Sequence, residues 1–152
     1  MKPSPLIRPT IEALCARFRS NDEGISAAVD LAVLVAAADG RIDRAEMAAL
    51  SASLEAIAGT QLALAVVQHL VRESRAKVEA AGIAERGRTI GQALAAHDCV
   101  GEGLRLAVVI ALASEGMCSA ERERIEIVAK AAGASVERID ALVREVEAVA
   151  GA

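Results

Sequence analysis

Apolar residues recur along this chain at helical spacing, and no stretch keeps the two-residue period of a strand. The three prolines lie in the first nine residues, which read as a short extended leader. Thr10 then caps a helix whose Ile11, Leu14, Cys15 and Phe18 share one face. A second helix, about 26–39, is apolar nearly all round apart from Asp30, the pattern of a helix enclosed by others. Gly40 suits the left-handed residue that closes it, and Asp43 with Glu46 three residues on has capping-box spacing for the next helix. That third helix buries Met47, Leu50, Leu54 and Ile57 and ends at Gly59.

Thr60 is the expected cap of a fourth helix through Leu62, Val66, Val67, Leu70 and Val71, fading over 79–82. A weaker fifth segment spans about 84–96, with Ile90 and Leu94 apolar but Gly87 and Gly91 lowering its propensity. Leu104, Ala107, Val108 and Ala111 mark a sixth helix as apolar as the second, stopping at Gly116. Ser119 is the expected cap of a seventh, carrying Ile125, Val128 and Ala132, and Ser135 that of the last, with Ile139, Leu142, Val143 and Val146 on one face. The expectation is an all-α fold: one compact bundle of about seven or eight helices over 10–152, following a leader over 1–9.

Composition sharpens this picture. Alanine, the best helix former, supplies roughly a quarter of the 152 residues. Phe18 is the one aromatic side chain among Phe, Trp and Tyr, so the core must be Leu, Ile, Val and Ala, and stacking on nucleobases is nearly excluded. The net charge of -4, with bases scattered singly or in pairs such as Arg122 and Arg124, leaves no basic stripe for nucleic acid. The start lacks the apolar stretch of a signal peptide, and no apolar run reaches the ~20 residues that span a bilayer, so a cytoplasmic protein is expected, without membrane insertion. Cys15, Cys99 and Cys118 are odd in number and far apart, which reads as reduced thiols serving as small buried hydrophobes.

The stretch 36–46, AAADGRIDRAE, ends like a calcium-binding loop. The first two ligand positions of such a loop would be Val35 and Ala37, neither of which can hold a cation. The grammar of 33–46 returns at 109–121: apolar helix, acid, glycine, short link, cap, glutamate, apolar helix. In that alignment Asp39 pairs with Glu115, Gly40 with Gly116, Ile42 with Cys118, and Ser119 takes the cap place of Asp43, while Glu121 arrives one residue earlier than Glu46 does. Two such corners imply a pseudo-symmetric pair of helical hairpins with the two most apolar helices side by side.

An apolar helix ending AAADG, then I-D-x-x-E, and a second copy after about 75 residues, resembles the bacterial tellurite-resistance protein TerB family. The likeness runs from about residue 10 to GASVERID near the end. It implies a compact all-helical domain without known catalysis, working with other proteins, membrane-associated ones included, in stress-response or envelope-linked complexes. It also implies a metal-binding acidic surface near the corners: Asp39, Asp43 and Glu46 match the first motif, and Glu115 with Glu121 approximate the second. All-oxygen ligands select Ca2+, Mg2+ or Mn2+ over zinc. Two Asp and one bidentate Glu give about four oxygens where Ca2+ takes 6 to 8, so a cation would be held weakly. Asp43 and Glu46 also have structural work as caps, whereas Asp39, and Glu115 in the same way, would face the negative end of its own helix dipole.

Two rival readings stay open. His69 and the triplet His97, Asp98 and Cys99 could carry Cys/His chemistry, but neighbours on a helix point about 100 degrees apart, and no second Cys/His pair has ligand spacing. Gly101 and Gly103 precede a helix without the strand that a phosphate loop requires. The other rival is a metal-independent interaction module that docks a partner, or a second copy as a homodimer, through its helical surface and the polar region 72–88.

Overall fold

The computed structural model describes Pro9, Glu12 and residues 22–38, 40–58, 60–113 and 117–150. Among them are seven α-helices and no strand: α1 (Asp22–Ala36), α2 (Arg44–Ala58), α3 (Leu64–Ala81), α4 (Ile83–Ala96), α5 (Val100–Ala111), α6 (Ser119–Ala131) and α7 (Val136–Ala150). Of the expected leader and first helix only Pro9 and Glu12 are described, each in helical conformation; the remainder lies outside the described residues.

The all-round apolar pattern of α1 sets the architecture. Ala27, Ala28 and every residue from 31 to 37 are buried, so α1 must be covered on every side, and it packs against α2, α3, α4, α5 and α6. Helix α5, with Leu104 and every residue from 106 to 111 buried, is the second such element and lies against α1 as its apolarity predicts. Helix α7 covers α5 and α6, burying Ile139, Leu142 and Val146.

The fifth segment of the sequence pattern is a full helix, α4, and its glycines are the reason it sits where it does. A Cβ on Gly91 would come within 2.5 Å of the Val128 carbonyl oxygen and 2.7 Å of the Ala131 Cβ, and one on Gly87 would strike Ile127. The bare backbone at both positions lets α4 lie directly on α6, which offsets the roughly 1 kcal/mol that each glycine forfeits in helix propensity.

Helix ends follow local chemistry. After Ala36 the chain turns through Ala37 N–H to Val33 O at 3.0 Å, and Gly40 takes φ +86°, a value only glycine adopts without strain. Ser135 Oγ accepts the Arg138 N–H at 3.3 Å, so the last helix is capped as expected. Thr60 does not cap α3: Ala63 is the N-cap, without a side-chain bond, and Glu55 from α2 accepts the Leu62 N–H at 2.9 Å. The seventh expected helix also shifts by one residue, because Ser119 is its first helical position and Cys118 its N-cap.

Candidate functional site

The two corners are built alike. At the first, Asp43 Oδ1 accepts the Glu46 N–H at 2.7 Å and Glu46 Oε1 accepts the Asp43 N–H at 3.1 Å, a complete capping box. At the second, Glu121 Oε1 accepts the Cys118 N–H at 2.9 Å, and the cysteine sulfur stands where the aspartate oxygen would be. Glu46 and Glu121 are 4% and 6% exposed, because each folds back over its own helix start. The structure therefore pairs Asp43 with Cys118 and Ile42 with half-buried Met117, correcting the sequence alignment by one residue. It also corrects the reading of Cys118, whose side chain is exposed; of the two described cysteines Cys99 is the buried one, with Sγ 3.5 Å from Leu94 O, and Cys15 lies outside the described residues.

Asp39 and Glu115 lie outside the described residues, beyond the ends of α1 and α5 at Ala36 and Ala111. The donor set that is described at the corners, Asp43, Glu46 and Glu121, already serves helix ends, so a cation there would share oxygens with the caps. Among the described residues no three His, Cys, Asp or Glu side chains gather as a metal site requires.

A cleft of about 380 Å³ opens beside the first corner, between the C-terminal end of α1, the last turns of α3, and α6. Val33, Leu34, Ala37, Val78 and Ile83 give it apolar walls. Two half-buried arginines flank it. Arg124 Nη1 donates to Leu34 O at 2.8 Å, and Arg75 Nη2 donates to Gly40 O at 3.3 Å. Burial pushes the Arg124 guanidinium below its usual value, the nearby positive charge of Arg75 adds to that, and Glu123 acts the other way. Sequence reasoning passed over this pair because its members stand on different helices. The one local signal is Arg75 itself, set between Val71 and Val78 on the inward stripe of α3.

A second polar cluster accounts for Asp30, the buried charge of α1. It is 6% exposed; Ser74 Oγ donates to Oδ1 at 2.7 Å, Arg86 Nη2 donates to Oδ2 at 2.6 Å, and Lys77 Nζ lies 3.6 Å from Oδ2. One carboxylate thus ties α1 to both α3 and α4. The His97, Asp98, Cys99 triplet is the bend between α4 and α5: His97 closes one helix, Asp98 takes φ +53° and Cys99 precedes the next. His69 is an exposed surface residue, 3.9 Å from Glu73. No helix of the described residues is long and apolar enough to cross a membrane.

Compared with known proteins, the chain matches no family model, no curated protein and no solved structure.

Proposed function

We propose that this protein is a non-catalytic recognition module of the TerB-like kind, acting in the cytoplasm and binding protein partners through the cleft between α1, α3 and α6. One observation carries the reading: an apolar cleft flanked by two arginines whose hydrogen bonds go to main-chain carbonyls rather than to acids. Such a surface fits a guest that brings apolar surface and negative charge together. The absence of catalysis is supported by the ordinary roles that His97, Asp98 and Cys99 have at a helix bend.

The test is a titration of isotopically labelled protein with short apolar anionic peptides, followed by amide chemical shifts. Shifts centred on Val33, Ala37, Val78 and Ile83 support the reading; peptides that move only remote surfaces refute it. A divalent cation at the corners is a second proposal, favoured by the recurrence of a buried cap glutamate at both. Ca2+, Mg2+ and Mn2+ added to the same sample test it through melting temperature, and an equal shift in Asp39→Ala, or none at millimolar metal, counts against it.

A further inference from the structure

Helix capping accounts for part of what Arg75 and Arg124 do. The last carbonyls of a helix lack partners within it, and cationic side chains near a helix C-terminus satisfy them. Leu34 O is one such group, and Gly40 O belongs to the turn that follows. Capping does not account for the remainder. Each guanidinium carries five N–H donors, and among the described residues each has one hydrogen bond, to a main-chain oxygen. Among the described residues no carboxylate lies within ion-pair distance of either.

Two positive charges facing one cleft with apolar walls repel each other and lose hydration, and an anion relieves both effects. Planar guanidinium matches planar carboxylate with paired hydrogen bonds. Among the described residues of the lining Glu79 is the one acid, against two bases. At about 380 Å³ the cleft lies near the lower end of the ~300–1,000 Å³ range of ligand pockets. That is room for one aliphatic side chain with a carboxylate beside it. The rim of the cleft at Gly40, Glu79 and Ile83 is exposed, as it must be if the rest of the guest continues outward.

We propose that the cleft captures the C-terminal residue of a partner protein, an aliphatic residue whose side chain rests on Val33, Ala37 and Val78 while its free α-carboxylate lies between Arg75 and Arg124. This rests on the reading of the cleft as the recognition surface, and it names the chemistry recognised there. Terminal carboxylates are a recurrent target of peptide-binding modules because each chain has only one.

The experiment compares an acetylated pentapeptide ending in valine and leucine, as free acid and as C-terminal amide, by calorimetry and amide shifts on the full chain. The acid binds at the cleft, and the amide binds about tenfold or more weakly. Arg75→Gln and Arg124→Gln weaken the acid by a similar factor and leave the amide unchanged, while Glu79→Gln tightens the acid. Should either arginine variant fail to fold, the acid–amide comparison on the unaltered protein decides alone. Equal binding of acid and amide at the cleft overturns the carboxylate proposal and leaves the recognition surface standing. No shift at the cleft with either peptide at millimolar concentration overturns both. Decanoate binding more tightly than the acid peptide overturns the protein terminus in favour of a lipid guest.

Discussion

Replacing Gly91 with alanine tests how α4 is held on α6. In an isolated helix the change is favourable, by ~0.8–1 kcal/mol. Here the new Cβ would lie 2.5 Å from Val128 O, 2.7 Å from Ala131 Cβ and 3.1 Å from Ala132 N. Two of those three atoms are backbone and cannot rotate away, so the helices must separate. Forced overpacking of this kind costs ~1–3 kcal/mol, occasionally more, and at the upper part of that range the net result is a loss of ~1–2 kcal/mol. For a chain of 152 residues that is a fall in Tm of roughly 2–8 °C. Gly87→Ala is the milder comparison: its closest neighbour is the Cγ2 of Ile127, a side chain rather than backbone but a stiff β-branched one, so turning it off its rotamer costs ~0.5–1.5 kcal/mol and the net loss should be smaller than at Gly91. Far-UV circular dichroism during urea and thermal unfolding is the assay, since the chain has no Trp or Tyr. If Gly91→Ala is more stable than the parent protein, the close approach of α4 and α6 is refuted.

The corrected register of the second corner makes a paired prediction by the same assay. Cys118→Ser should stabilise by several tenths to ~1 kcal/mol because a hydroxyl caps better than a thiol, whereas Ser119→Ala should stay within ~0.5 kcal/mol; the reverse order would restore Ser119 as the cap. Asp43→Ala should cost ~1 kcal/mol at the first corner. Asp30→Ala strands the half-buried Arg86 and should cost ~3 kcal/mol, the lower end of the range for a fully buried pair, while Lys77→Ala, at the exposed rim of the same cluster, should cost under ~1 kcal/mol; similar losses would contradict the geometry.

The fold was legible where burial is total. A helix apolar on all faces can only be central, so α1 and α5 announced themselves and their adjacency followed. The glycines of α4 were misleading read as propensity alone, because their benefit lies on Val128 and Ala131, invisible in the local sequence. The second corner was misaligned because its glycine and its glutamate are one residue closer than in the first, and the match was anchored on the glycine. The box Cys118–Glu121 shows that the glutamate is the better anchor. At the corners, Asp43 and Glu46 were found by spacing, since a capping box is a local device, whereas Glu121 entered by alignment with Glu46 and its partner was read as Ser119 rather than Cys118. The Arg75 and Arg124 pair needs α3 and α6 brought together, and spacing along one chain cannot report that.

The Asp30 cluster bears on a problem particular to interiors of this composition. Alanine, leucine and valine present similar, smooth surfaces at every turn, so a helix displaced by one turn, ~5.4 Å, would find nearly equivalent neighbours. Such a displacement of α3 or α4 would carry Ser74 or Arg86 out of reach of Asp30 and leave a charge in the aliphatic interior. Asp30 thus acts as an indexing pin. It penalises the near-miss arrangements that an aliphatic bundle otherwise tolerates, and so keeps the walls of the neighbouring cleft in a single alignment.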